Sequence, residues 1–148
     1  MNIAIITGSG ASATRIVLTG GAPLRYEGGP SVLNNVTFNR DNQIETFQPL
    51  RSDFVKVFDR KNRKTQIEVQ ITRIHQTIAD AHRFILTHDA SIPNTGTVEF
   101  LILNDSGFVL EGRWMVAGIN GVKLVSHTGI TTVWNYPFVG GKLLTAKP

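Results

Sequence analysis

The sequence contains no cysteine, which excludes disulfide bonds and metal sites built from thiolates. No apolar run in it approaches the roughly 20 residues that a membrane-spanning helix requires. Charged residues make up only 18% of the 148 residues, somewhat fewer than the roughly 25% typical of soluble domains. So few charges are a mild indication of protein–protein interfaces, although a neutral, polar β surface explains them equally well.

The length fits one ordinary domain, which can bury roughly 68–70% of its unfolded surface without help from metals or disulfides. Residues 1–35 are rich in glycine and small side chains, and they are predicted to form an arm or an edge segment. Residues 36–148 carry the strand signals and are predicted to form a β-rich domain. The start of the chain lacks the basic segment and long apolar core of a signal peptide, so we expect none.

The clearest strand signal lies in Thr65–Arg73, where Ile67, Val69 and Ile71 alternate with polar side chains. Alternation with a period of two predicts an antiparallel strand that covers a core on one face only. The preceding run, Phe54–Phe58, combines aromatic and β-branched residues. These two runs are therefore predicted to pair as a hairpin across the polar segment between them.

A helix is predicted near residues 78–88. Thr77 is a suitable N-cap, and Asp80 lies in the first turn, where an acid interacts favourably with the helix dipole. A single apolar stripe on this helix predicts that it lies on a sheet. The stripe consists of Ile78, Ala81, Phe84, Ile85 and His88.

Turn signals separate the remaining strands, which favours an antiparallel meander. The predicted strands are Val98–Leu103, Phe108–Val116, Val122–Ser126 and Thr131–Val139. The predicted fold class is α+β, mainly antiparallel β in a sandwich or barrel-like sheet, with one flanking α-helix near residues 78–88.

Three sequence patterns could indicate a binding or catalytic site, but none of them meets the requirements of such a site. The G-x-G-x-x-A spacing of Gly8–Ala13 needs a following helix to bind a dinucleotide, but β-branched residues and a glycine pair follow it. His82 and His88 diverge by about 120° on the helix and cannot share a metal ion. Glu99 and Glu111 could face each other across a hairpin, but solvated surface acids are the simpler explanation. We therefore expect no catalytic residues, no metal and no cofactor.

A basic segment is the strongest local charge feature. Arg60, Lys61, Arg63 and Lys64 lie within five residues. The segment admits three interpretations: a solvated hairpin tip, an ionic contact with a neighbouring subunit, or a contact with nucleic-acid phosphates.

Several segments together resemble the tail-tube and distal-tail (minor tail) structural proteins of bacteriophages. The resemblance covers roughly residues 54–141 as diffuse patterns. It rests on Phe58–Arg63, Ile67–Ile71, Ile78–His88, Ile92-Pro93, a strand starting at Gly96, the aromatic run Val133–Phe138 and the pair Gly140-Gly141.

The resemblance implies a virion tail protein that is made in the host cytoplasm and forms a homo-oligomeric ring, which is hexameric in analogy with the family. It also implies contacts with other tail proteins, and passage of DNA through the lumen without specific recognition. The expected oligomer interface lies on the reaching hairpin and the N-terminal arm. Its residues are Phe54, Phe58, Arg60, Lys61, Arg63, Lys64, Ile3 and Ile5.

Two alternatives belong to other functional classes. A monomeric β domain could bind a glycan through the aromatic rings of Trp114, Trp134 and Tyr136. An enzyme with a site that no motif reveals is the other alternative.

Overall fold

Strands dominate the described part of the chain. The computed structural model describes residues 1–8, 10–19, 31–41, 44–47, 56–59 and 64–148. The elements in chain order are β1 (Asn2–Thr7), a 3₁₀ turn (Gly10–Ser12), β2 (Thr14–Thr19), β3 (Ser31–Asp41), β4 (Ile44–Phe47), β5 (Lys56–Asp59), β6 (Lys64–Ile74), α1 (Ile78–Ser91), β7 (Thr95–Leu103), β8 (Val109–Ile119), β9 (Lys123–Thr128) and β10 (Thr131–Gly140).

The main sheet has the strand order β2-β1-β7-β8-β10-β6-β3, and β9 also pairs with β10. The paired strands are antiparallel throughout. The two end strands, β2 and β3, also contact each other, so the sheet curves round towards closure. The predicted fold class, α+β and mainly antiparallel β with one flanking α-helix, is confirmed.

β10 is the strand that joins the two halves of the sheet. On one side it pairs with β6 along its full length, from Thr131 to Gly140. On its other side it pairs first with β9 and then, from Phe138 onwards, with β8. Every second side chain of β10 is buried, and Trp134, Tyr136 and Phe138 lie at the centre of the core.

The predicted hairpin between Phe54–Phe58 and Thr65–Arg73 is wrong. β5 pairs with β4, whereas β6 pairs with β3 and β10. β3 and β6 are each eleven residues long and can form a long ladder of backbone hydrogen bonds. β5 has only four residues and would offer β6 far fewer of these bonds. Residues 54–55 and 60–63 of the predicted hairpin lie outside the described residues.

The N-terminal segment supplies a hairpin to the main sheet. β1 pairs with both β2 and β7, and β2 is an end strand. Gly8 and Gly10 have positive φ angles of 82° and 61°, which suit the turn between the two strands. A strand follows this turn where a dinucleotide site would need a helix, so the glycine spacing serves a β-hairpin. Residues 20–30 of the predicted arm lie outside the described residues.

α1 begins where the sequence predicts. The Thr77 side chain accepts a hydrogen bond from the Asp80 backbone N–H at 3.1 Å. Ala81, Phe84 and His88 are buried, and the helix contacts β10. The buried stripe is narrower than predicted, because Ile78 at the first turn is exposed.

Candidate assembly surfaces

The histidine at the end of the helical stripe belongs to the core. His88 Nε2 lies 2.5 Å from the Tyr136 hydroxyl, and its ring stacks on Phe84 with 4.2 Å between centroids. Burial lowers the pKa of His88 to about 3, and the positive charge of Arg73 and the proximity of His75 act in the same direction. A neutral, buried histidine that ties the helix to β10 is a structural residue, as the sequence suggested.

A second buried histidine lies beside it. His75 Nε2 is 2.8 Å from Thr132 Oγ1, and the same oxygen accepts a hydrogen bond from Trp134 Nε1 at 3.0 Å. Desolvation lowers the pKa of His75, and the charge of Arg73 lowers it further. Across the described ranges, no three His, Asp or Glu side chains come together in a way that could hold a metal ion.

The carboxylate pair considered above does not form. Glu99 lies opposite Trp114, and Glu111 lies opposite Ile102. Because positions 99 and 102 on one strand differ by an odd number, the two carboxylates point to opposite faces of the sheet. Glu111 instead makes an ion pair with Arg113 at 3.0 Å.

Glu99 has structural partners. Its carboxylate accepts hydrogen bonds from Trp114 Nε1 at 2.9 Å and from the Arg15 guanidinium at 2.7 Å. Burial raises the pKa of Glu99, but these two hydrogen bonds and the charge of Arg15 outweigh it, so the net pKa is lowered. An ionised Glu99 therefore ties β7 to β8 and to β2.

Two of the three aromatic residues named above for glycan binding are not available to a ligand. Trp134 and Tyr136 are fully buried in the core. Trp114 is partly buried, and its indole N–H is engaged by Glu99. A sugar needs an exposed aromatic face, so Trp134 and Tyr136 offer no such platform.

The first candidate surface is a long hairpin at the end of the sheet. The ladder between β3 and β6 ends at the pair Asp41–Lys64, and the same two chain segments pair again from Ile44–Asp59 to Phe47–Lys56. We call β3, β4, β5 and β6 together the long hairpin. It consists of two successive antiparallel ladders. The β3–β6 ladder belongs to the main sheet, and the β4–β5 ladder forms a separate two-stranded sheet.

The root of the long hairpin leaves apolar side chains uncovered. Val36 and Phe38 lie opposite the buried Val69 and Ile67, so they point to the core face of the sheet. Yet Val36 is 38% exposed and Phe38 is 55% exposed. The chain therefore leaves the core face of its end strand partly exposed at Val36 and Phe38, whereas Leu33 on the same face packs against the core.

A groove lies beside Phe38. Its volume is about 200 Å³, which is below the roughly 300–1,000 Å³ of typical ligand pockets. We call it the β3 groove. It is lined by Phe38, Arg40, Thr65, Gly141, Lys142 and Leu143. The apolar side chains and the two cations give the groove a mixed apolar and basic character.

The second candidate surface is the turn between β7 and β8, which we call the β7–β8 tip and define as residues 102–111. The Asn104 side chain accepts hydrogen bonds from the backbone N–H groups of Ser106 and Phe108, and this fixes the turn. Phe108 is 72% exposed, and Val109 and Leu110 are exposed as well. Such adjacent exposed apolar residues typically mark an interaction site.

The described residues among those predicted for the interface do not form one common surface. Ile3 and Ile5 are fully buried in the core, so they have no surface to offer a neighbour. Lys64 is exposed at the start of β6, and Phe58 belongs to β5. Three of the basic residues and one aromatic residue lie outside the described residues. They are Phe54, Arg60, Lys61 and Arg63.

Sequence reasoning placed part of the expected interface on the long hairpin, through Phe58 and Lys64, but it missed the exposed core face of β3 and the β7–β8 tip. The run Phe108-Val109-Leu110 directly after a turn glycine is a usable signal, because a one-sided strand would alternate there. Val36 and Phe38 do alternate with polar residues, so their pattern predicts burial. Only the sheet order, which places β3 at an end, shows that they are uncovered.

No protein-family model matches the sequence, and no curated protein matches it significantly. A solved structure does match: a chain from the tail of an empty GTA (gene transfer agent) particle, obtained by helical refinement with C6 symmetry. The TM-score is 0.51 at 12% sequence identity, and the match covers 98% of this chain and 96% of that chain. The protein therefore shares its fold, over nearly its whole length, with a subunit of that tail.

Proposed function

We propose that this protein is a structural subunit of a phage-type tail that assembles with copies of itself into hexameric rings. The tail-tube and distal-tail positions both fit this role. The observation that carries the proposal is the uncovered core face of β3 at the root of the long hairpin. The shared fold with a subunit of a C6-symmetric tail supports it.

The physical argument rests on what a sheet edge requires. An end strand with unpaired backbone groups and exposed apolar residues tends to pair with another chain, and monomeric proteins usually blunt such edges. In β3, however, exposed apolar side chains remain on the core face. A ring subunit can leave this edge open because a neighbour covers it after assembly.

The remaining parts of the proposal follow from this role. The protein would reside in the virion tail after synthesis in the host cytoplasm, contact other tail proteins, and allow DNA to pass through the lumen. It would act by assembly, as a protein without enzymatic activity or a cofactor. No helix in the described ranges is long and apolar enough to cross a membrane.

Replacement of the outer part of the long hairpin tests the proposal. Asp41 and Lys64 are the last pair of the β3–β6 ladder. A two-residue Asn-Gly turn in place of residues 42–63 can therefore close this ladder. We expect the wild-type protein to form rings or tubes in negative-stain images at high concentration. We expect the shortened protein to keep a β-rich circular dichroism spectrum and a cooperative unfolding transition, and to stay smaller by light scattering.

Two outcomes would count against the proposal. The first is a wild-type protein that stays monomeric at millimolar concentration, even when tail particles lacking this subunit are added. This result would show that the protein does not assemble into rings. A shortened, folded protein that still forms wild-type rings would show that residues 42–63, the part of the long hairpin that was removed, are not needed for assembly.

A further inference from the structure

The β7–β8 tip and the β3 groove have complementary chemistry. The tip presents exposed apolar side chains beside the carboxylate of Asp105, whereas Glu111 at its base is already paired with Arg113. The groove presents an apolar floor beside the cations of Arg40 and Lys142. Both surfaces are exposed on the same chain. The tip carries a negative charge, and the groove carries positive charges.

We propose that the β7–β8 tip of one copy docks into the β3 groove of the next copy, with Phe108 seated against Phe38 and Leu143. This inference rests on the proposed function and identifies the contact between neighbouring subunits. The occupant of the groove is thus a second copy of this chain.

Size and geometry favour a side chain as the occupant. The groove, at about 200 Å³, is small for a ligand pocket. The tip, in contrast, is a fixed turn, because Asn104 holds the backbone N–H groups of Ser106 and Phe108. A fixed turn presents its aromatic ring at little cost in conformational entropy.

Charge explains why the occupant is a second copy in a defined orientation. The whole chain carries a net charge of +4, so copies repel each other weakly unless opposite charges face each other locally. Asp105 of the tip faces Arg40 and Lys142 of the groove in the proposed contact. Such complementary pairs set the register of an interface and exclude the wrong pairing.

The contact joins two different surfaces, so each copy can bind one neighbour on each side. Contacts of this heterologous kind form rings when the rotation between copies closes. The exposed positions of Phe38 and Phe108 also make them safe sites for substitution, because neither contributes to the buried core.

Complementary variants test the contact. We expect Phe108→Asp, which spoils the tip, and Phe38→Asp, which spoils the groove, each to abolish rings. A mixture of the two variants retains one intact tip and one intact groove, and we expect it to form one-to-one dimers in analytical ultracentrifugation. Leu86→Asp is the matched control: Leu86 is 83% exposed on α1 and outside both surfaces, so it should leave ring assembly unchanged.

Engineered cysteines give a second measurement in a chain that has none of its own. We expect oxidation of the Phe108→Cys/Leu143→Cys variant to produce a covalent ladder up to the ring size, whereas each single variant gives none. If the wild-type protein forms rings but both aspartate variants also form them, the tip–groove contact is wrong and the proposed function stands. If the wild-type protein forms no rings at all, both proposals fail.

Discussion

His88 is surrounded by aromatic rings on the core side of α1. Phe84 stacks on it, Trp134 meets it edge-on with 5.0 Å between centroids, and Tyr136 provides its hydrogen bond. Protonation would place a positive charge among these rings and near Arg73, which explains why the folded state keeps the ring neutral. This residue therefore couples the stability of the fold to pH.

We predict that stability falls as the pH is lowered from about 6.5. The unfolded chain binds a proton on His88 below pKa 6.5, whereas the folded chain resists it down to a pKa of about 3. Each pH unit in this window should therefore cost up to about 1.4 kcal/mol from this residue. The lowered pKa of His75 adds to the loss.

Urea unfolding between pH 7 and pH 5 measures this effect, above the range in which Glu99 titrates. The variant His88→Gln removes the titrating ring, so we expect lower stability at pH 7 but a shallower fall towards pH 5. His82 is exposed on the same helix, and His82→Gln should keep the wild-type slope. An equal slope in all three proteins would contradict the role of His88.

At the scale of elements, two adjacent glycines end β10 in different surroundings. A Cβ atom on Gly140 would lie 2.5 Å from the Val116 carbonyl oxygen and 2.7 Å from Met115 Cγ. A Cβ atom on Gly141 would meet nothing within 4 Å. Gly140 thus allows β10 and β8 to approach closely where the two halves of the sheet join.

We predict opposite effects of the two alanine substitutions. Gly140→Ala should destabilise the fold by about 2 kcal/mol or more, because a backbone carbonyl must shift. Gly141→Ala should be neutral, or stabilising by up to about 1 kcal/mol through the unfolded state. Thermal unfolding of both variants side by side tests this. A Gly140→Ala protein as stable as wild type would show that β8 and β10 can separate freely.

The elements after residue 64 could be predicted from the sequence because their signals are local. Thr77 caps the helix, Asn104 and Gly107 make the turn, and alternation marks β6 and β10. The pairing of β6 was mispredicted because pairing is not local. Its partner β3 lies some 30 residues earlier and carries a weaker pattern than the nearer Phe54–Phe58 run.

The candidate surfaces were harder to predict for the same reason. An interface residue and a core residue have the same side-chain chemistry, and only the sheet order distinguishes them. Ile3 and Ile5 were expected at an interface, but β1 lies between β2 and β7 and buries them. Phe38 has the pattern of a core residue, but β3 is at the end of the sheet and leaves it exposed.

At the scale of the whole molecule, the proposed assembly links stability to concentration. A partner that binds only the folded state stabilises it, by about 1.4 kcal/mol for each tenfold rise in free partner well above the dissociation constant. We predict that the thermal midpoint of the wild-type protein rises with protein concentration, and that Phe38→Asp abolishes the rise. Scanning calorimetry over a hundredfold concentration range measures this. A constant wild-type midpoint would contradict self-association.

The position of β10 in the chain also determines when the main sheet can be completed during synthesis. β10 pairs with β6, β8 and β9, and it follows all three in the sequence. A nascent chain therefore carries two unjoined halves, one around β6 and the other around β7 and β8, until residues 131–140 leave the ribosome. Because such late, non-local pairing is slow and leaves apolar surface exposed, we expect the newly made chain to be most prone to aggregation before β10 pairs.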